Sequence, residues 1–343
     1  MSAFSLCLPD QRLAASTIQD SLVTLQVGSV TMATLQLSRP AANSILLTGP
    51  LHPETPPLAL MPLLAELFCH QPSLRDVMLD TGCTDEFAVT LVRMGIMGRR
   101  IATANGWRLG CSRAVFWQQP QLWLPTPGVS GVATEYVMSH GRRHPRRAPQ
   151  PQGVVYQRYL PRQGCTFTLR VANIRRDLPL FHAWMNMDRV HRFWTLAGKR
   201  EAHAAYLQAQ IDDAGVLPLM GEFDGEPFAY FEVYWAKEDR LAPFYAAQDF
   251  DRGCHLLVGN SRHASKGKTI AWMRAVSHYV FLDDSRTQRL VGEPHIDNVR
   301  FISHLQNQGF AKLKEFDFPH KRAALLMLER EVFFEQHGPW GEE

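Results

Sequence analysis

Arg262, Ser265, Lys266, Gly267 and Lys268 form one polar run between an apolar stretch, His255 to Gly259, and a helix-forming stretch from about Ile270 to Leu282. Cations and free amides at the start of a helix suit a pyrophosphate, because the first N–H groups lack intrahelical partners and the dipole favours negative charge there. The run is neither a Walker loop nor a dinucleotide fingerprint, since both glycine spacings are absent. His255 opens the apolar stretch, and imidazole titrates near neutral pH, which makes it the candidate proton acceptor. Its structural alternative is a packed, hydrogen-bonded core histidine. Asp297 follows Glu293-Pro294 where a helix is due to begin, so it serves either to orient His255 or to cap that helix. Glu293 and Asn298 are candidates for supporting groups, and His295 for a further polar contact. Trp194, Glu232, Tyr234 and Trp235 are candidates for the lining of a substrate channel, with aromatics along a carbon chain and Glu232 toward a distant ammonium. Strand alternation nevertheless puts Glu232 and Tyr234 on one face and Trp235 on the other. His320, Lys321 and Arg322 add cations suited to a phosphate or a carboxylate.

The elements that must hold these residues follow from periodicity. After residue 153 the pattern predicts a strand at Thr166–Val171 and helices at Leu178–Met185 and Glu201–Ile211. A hairpin then joins Leu217–Phe223 to Phe228–Trp235 through Asp224-Gly225. A strand at His255–Val258, the long helix, a strand at Arg289–Gly292, a helix at Asn298–Gln308 and two closing strands complete the domain. Before residue 140, strands at Leu22–Val27, Met32–Leu37 and Ser44–Leu47 precede a helix at Leu58–Cys69. A strand at Val77–Leu79, a helix at Glu86–Met94 and a hairpin across Trp107–Trp123 follow, giving a smaller α+β domain with no nucleophile, metal or phosphate motif of its own. Between them, residues 141–153 carry four arginines and repeated prolines, and read as a solvated linker.

The 343 residues, 45% hydrophobic and 20% charged, suffice for two globular domains and exclude a disordered or fibrous chain. Lys and Arg exceed Asp and Glu by 36 to 33, too nearly balanced to demand nucleic acid or a membrane as partner. The six cysteines are scattered without a C-x-x-C pair, which points to reduced thiols and no zinc ribbon. Asp10 and Arg12 interrupt the first apolar stretch, and Pro56 to Phe68 is too short to span a bilayer and holds Glu66. A cytoplasmic protein is expected.

Arg262-x-x-Ser265-x-Gly267 behind the strand His255–Gly259 resembles the acyl-CoA pyrophosphate loop of GCN5-related N-acetyltransferases (GNAT), with Ser265 in place of the first glycine. Further words extend the likeness: Trp184-Met-Asn186 with Arg189 and Trp194, Tyr230-Phe-Glu232-Val-Tyr234-Trp235, Asp251-Arg-Gly-Cys-His255, Glu293-Pro294 with Asp297-Asn298, and Glu315-Phe-Asp-Phe-Pro-His-Lys-Arg322. Together they resemble the siderophore-biosynthesis acyltransferases, of the aerobactin N6-hydroxylysine acetyltransferase type and its alcaligin-type relatives, over residues 154–334. The resemblance implies a GNAT fold, an α+β sandwich, in domain 154–343, and suggests a degenerate acetyltransferase-like domain over 1–140. It implies acyl-CoA along Leu257, Val258 and Gly259 and over Arg262–Lys268, with His255 and Asp297 in catalysis and no metal. The implied reaction moves an acetyl group from acetyl-CoA to the hydroxylated nitrogen of N6-hydroxylysine. Succinyl-CoA with N-hydroxycadaverine or N-hydroxyputrescine, or a non-catalytic acyl-CoA-binding protein, stand as alternatives, and a monomer or homodimer is expected.

Overall fold

The computed structural model describes residues 4–104, 106–126, 133–139 and 141–340, in two units, Met1–Leu122 and Trp123–Glu343. The first is built on alternating strands joined by tight turns: β1 (Ser5–Cys7), β2 (Leu13–Gln19), β3 (Leu22–Val27), β4 (Val30–Ala41) and β5 (Ser44–Thr48). Next come α1 (Leu60–His70), β6 (Asp76–Asp80), α2 (Asp85–Arg93), β7 (Arg99–Thr103), β8 (Gly106–Ser112) and α3 (Arg113–Trp117). The expected hairpin across Trp107–Trp123 is not formed. β8 turns back on β7 instead, and the Ser112 hydroxyl accepts from the Val115 N–H to cap α3, which turns the next residues helical.

In the second unit β9 (Tyr136–Ser139) and β10 (Arg142–Pro145) make a small antiparallel sheet. There follow β11 (Val154–Leu160), β12 (Cys165–Val171), α4 (Ile174–Met185), α5 (Asp188–Trp194), α6 (Arg200–Asp212), β13 (Val216–Phe223) and β14 (Glu226–Trp235). The unit closes with β15 (Arg252–Val258), α7 (Lys266–Asp283), β16 (Arg289–Gly292), α8 (Val299–Asn307), β17 (Ala311–Asp317) and β18 (Arg322–Glu329). The Asp224-Gly225 turn has φ of 49° and 80°, the left-handed pair that a two-residue hairpin needs. α4 starts earlier than its Pro179 suggests, because the Asn173 side chain accepts from the N–H groups of Arg175 and Arg176. Buried Arg170 on β12 grips Asp177 of α4 with two bonds of 2.7 Å and Glu222 of β13 at 2.6 Å, fixing the helical layer to the sheet.

The segment expected as a free linker is structured. Of its four arginines, Arg147 is buried against Glu238, at 2.6 and 2.5 Å, and lies 4.1 Å over the Trp235 ring. Arg146 pairs with Glu135, Arg142 donates to the Glu238 carbonyl, and Arg143 stacks on Tyr136. The repulsion that composition suggests is therefore met by partners, Glu135 and Tyr136 just upstream and Glu238 far along the chain, and the units divide at Leu122 rather than near residue 140.

The two eight-stranded sheets have the same strand order: β1-β2-β3-β4-β5-β6-β8-β7 and β11-β12-β13-β14-β15-β16-β18-β17. Each has one parallel neighbour pair, β5 with β6 and β15 with β16. Their differences include two that shape the second unit's site. The three helices between β12 and β13 are replaced in the first unit by the turn at Asp20 and Ser21, and β5 pairs with β6 from Ser44↔Asp76 to Thr48↔Asp80. β15 keeps only Arg252↔Leu290 and Gly253↔Val291.

Candidate active site

Beyond Gly253, β15 holds to β14 through Ala229↔Val258 but has left β16, so one edge of residues 254–258 opens into a cleft of about 710 Å³. α7 and α8 supply Trp272, Val276 and Phe301 to its walls, and α5 and α6 supply Trp194 and Tyr206. Some of the open strand's carbonyls already have partners. The Trp194 indole N–H donates to Leu256 O at 3.2 Å, and Arg189 donates to the carbonyls of Val258 and Gly259. Gly259 has no room for a side chain, since a Cβ there would lie 1.9 Å from the Trp184 indole.

At the root of the splay, His255 lies between two buried carboxylates. Its Nε2 is 2.8 Å from Glu293 Oε1 and its Nδ1 is 3.1 Å from Glu232 Oε2. Register explains one contact, because Glu232 stands opposite His255 on β14, while Glu293 arrives from the end of β16. Three phenols complete the array. Tyr206 and Tyr230 donate to Glu232 Oε1 at 2.8 and 3.1 Å, and Tyr234 donates to Glu293 Oε2 at 2.8 Å. The Tyr234 ring crosses directly over Gly253, where a Cβ would fall 2.0 Å from its Cζ. Lys321 donates to the Glu293 carbonyl at 2.7 Å and stands 3.8 Å from its carboxylate.

Burial alone would lower the pKa of His255, but the charge of Glu293 and the bonds to both carboxylates push it up to about 10. For Glu293 burial works upward, and the imidazolium with Lys321 overrides it, holding the carboxyl far below its usual range. The resting array is thus an imidazolium against an ionised Glu293, with Glu232 as the second hydrogen-bond partner of the ring. A raised histidine stabilises the fold fully below its ordinary value of 6.5 and loses that contribution as pH climbs through about 10. A depressed carboxyl does the reverse, stabilising fully above 4.5 and losing this as pH falls below it. The Tm difference between wild type and His255→Gln is therefore expected to be large at pH 6 and to shrink steadily toward pH 10. A constant difference across a pH series of thermal melts would remove the charged imidazole from the account.

The structure gathers the sequence candidates only in part. Trp194, Glu232, Tyr234, His255, Leu257, Val258, Glu293, His295 and Asn298 all line the cleft. Trp235 does not. It faces the other side of the sheet, with Arg147 and Arg252 against its ring, as alternation on β14 requires. Asp297 is 72% exposed and stands nearest His295, at 3.6 Å, so Glu293 and Glu232 hold the places beside His255 that the sequence offers to Asp297. Nor does it cap α8, whose N-cap residue is Asn298. In the loop, Ser265 caps α7 by accepting from the Lys268 N–H at 3.4 Å, so the helix begins at Lys266 rather than near Ile270. Glu226 binds Arg262, Asn260 and His263, and Lys268 sits 3.0 Å from His263. The amides of Lys266 and Gly267 remain as the first-turn donors of an 18-residue helix, which fits a phosphate group. Tyr206, Tyr230 and Arg240 lie outside the sequence candidates. Tyr230 was within reach of it, being in step with Glu232 and Tyr234 on one strand face.

Residues 173–318 match the family model described as an acetyltransferase (GNAT) domain. An N(6)-hydroxylysine O-acetyltransferase of Escherichia coli is 43% identical over 228 residues, covering 66% of this chain and 72% of the relative. A putative lysine N-acyltransferase of Schizosaccharomyces pombe is 40% identical over 66% of this chain and 68% of its own length. A hydroxyornithine transacylase of Ajellomyces capsulatus is 35% identical, over 65% and 57%. Among solved structures, an uncharacterized protein from Bacillus halodurans superposes with a TM-score of 0.52 at 26% identity, over 55% of this chain and 95% of the other. GNAT acetyltransferases take acyl-CoA as cosubstrate, and no helix among the described residues is long and apolar enough to cross a membrane. With the parallel pair parted around His255 and these relatives aligned, the chain belongs to the GNAT superfamily and, within it, to the siderophore-biosynthesis N-acyltransferases.

Proposed function

We propose that this protein transfers the acetyl group of acetyl-CoA to the hydroxylated nitrogen of N6-hydroxylysine, forming the hydroxamate that a siderophore uses to chelate ferric iron. The observation that carries this reading is the Glu232–His255–Glu293 array at the root of the β15–β16 splay. Acyl-CoA supplies the activated thioester. Its pantetheine arm would lie along the freed edge of β15, as a peptide adds to a sheet, with its pyrophosphate at the first turn of α7. The work of acyl transfer belongs to the second unit. With acyl-CoA as cosubstrate, this reading takes the protein to work in the cytoplasm.

An N-alkylhydroxylamine is less basic than an alkylamine, because oxygen withdraws density from nitrogen, so it reaches the site largely unprotonated. The chemical demand is to orient nitrogen against the thioester, accept one N–H proton as the C–N bond forms, and stabilise the oxyanion with a backbone N–H of β15. Because both ring nitrogens of His255 are engaged, the acceptor is the array as a unit. It takes one proton on a carboxylate oxygen beside the imidazolium. The N-acylated hydroxylammonium is a strong acid, so even a carboxylate kept well ionised by the imidazolium suffices. As the C–S bond breaks, the departing thiolate takes up the proton and leaves as free CoA.

The test is thiol release from acetyl-CoA and succinyl-CoA, each offered with N6-hydroxylysine, N-hydroxycadaverine, N-hydroxyputrescine and plain lysine. Acetyl-CoA with N6-hydroxylysine is expected to lead, and its product to give the ferric colour of a hydroxamate. Transfer to oxygen would release thiol without that colour. Turnover equal on plain lysine, or none on any hydroxylated amine, would overturn the reading.

A further inference from the structure

Arg240 is a cleft-lining guanidinium with no hydrogen bond among the described residues. Its side chain is 52% exposed, its one ion-pair contact among the described residues is Glu293 Oε1 at 3.9 Å, and its Cζ stands 5.6 Å from the centre of the Phe318 ring. Glu293 already has His255, Tyr234 and Lys321, so Arg240 is not needed to neutralise it. A rigid fork of five donors left open beside the reacting groups is suited to bidentate contact with a carboxylate. Building on the function proposed above, we infer that Arg240 binds the α-carboxylate of the acceptor and so selects an N-hydroxy amino acid over an N-hydroxy diamine.

The spacing allows it. With contacts of about 2.8 Å at each end, a carboxylate oxygen on Arg240 and a nitrogen beside Glu293 can stand up to about 10 Å apart. An extended lysine side chain places its terminal nitrogen roughly 6 Å from Cα, five bonds of about 1.5 Å, with the carboxylate one bond further. The chain between them would pass the aromatic walls of Trp194 and Tyr206. N-hydroxycadaverine is N6-hydroxylysine without its carboxylate, and N-hydroxyputrescine is one carbon shorter still, so both carry the ammonium but offer Arg240 no anion to bind. One group favours the opposite choice. Asp239 lines the same space, but burial raises its pKa and its Oδ1 is taken by the Leu241 N–H at 2.8 Å, which leaves it a weak anion site.

The experiment compares kcat/KM for N6-hydroxylysine and N-hydroxycadaverine, with acetyl-CoA, in wild type and Arg240→Gln. The preference for N6-hydroxylysine is expected to fall about 10- to 100-fold, the span of one charge-assisted bidentate contact. An equal fall on both acceptors would mean that Arg240 acts through Glu293, and an unchanged ratio that it touches no carboxylate; either overturns the assignment. A loss confined to succinyl-CoA would give the guanidinium to the acyl donor and overturn it too. If wild type turns over no hydroxylated amine, the function itself fails. The subsite is then read by calorimetry of lysine against cadaverine with CoA present, where Arg240→Gln should abolish the preference for lysine, and equal binding of both amines by wild type sinks the assignment.

Discussion

His255→Ala lowers kcat by about 10²- to 10⁴-fold, the usual yield of positioned proton transfer, while the dissociation constant for acyl-CoA stays close to wild type. The asymmetry follows from geometry. The proposed pyrophosphate and pantetheine contacts are made by α7 and the backbone of β15, whereas the imidazole's hydrogen bonds among the described residues go to Glu232 and Glu293. Removing the imidazole leaves two buried carboxylates without the ring that bonds both, so one of them binds a proton and shares it with the other. Such a site still holds acyl-CoA but no longer positions a carboxylate oxygen to accept the N–H proton. Glu293→Gln should depress kcat in the same range by another route, since the amide cannot take a proton and the imidazolium loses its stronger partner. Titration calorimetry with CoA and a thermal melt on each variant separate lost chemistry from lost folding. A folded, CoA-binding His255→Ala enzyme with wild-type turnover would remove the histidine from the mechanism.

Gly253→Ala is expected to cost about 1–3 kcal/mol of stability, the range for overpacking a filled interior, and to lower kcat along with it. A methyl group at residue 253 would sit 2.0 Å from the Tyr234 ring, which is buried and cannot swing to solvent. The ring must therefore withdraw, and its hydroxyl carries away the 2.8 Å bond to Glu293 Oε2. The fall in kcat thus arises without touching any group that contacts substrate. Tyr234→Leu offers the control. In that background the methyl has space, so the added cost of Gly253→Ala should largely vanish, a coupling that urea denaturation of the four proteins would read. Additive losses would mean that the glycine is needed for some other reason.

The sequence was most informative where a local rule has a local cause. Asp224-Gly225 demanded a two-residue turn and formed one, and the apolar run at His255 became the strand that bounds the cleft. Local rules misled where a side chain captured backbone amides. Asn173 began α4 ahead of Pro179, and Ser265 began α7 ahead of Ile270. Arg142 and Arg147 looked solvated because their partner, Glu238, lies far along the chain. Distance also explains the catalytic residues. Glu232 reaches His255 through strand register and Glu293 through the return of β16, and nothing in the spacing of either shows that they meet. Asp297 offered the right chemistry beside the right motif, yet the chain turns it outward.

The seam between β5 and β6 stayed zipped where its counterpart opened, and this bears on how the two halves tolerate change. In the closed seam the inward residues, Ile45, Leu47, Val77 and Leu79, are buried hydrocarbon, answerable only to shape and volume. In the open one the corresponding strands carry an imidazole and a carboxylate that must meet within 2.8 Å, and drift of either is answerable to a reaction. The same architecture, drafted twice in one polypeptide, is thus free to wander in its first copy as any apolar core can, and is held to fixed chemistry in its second.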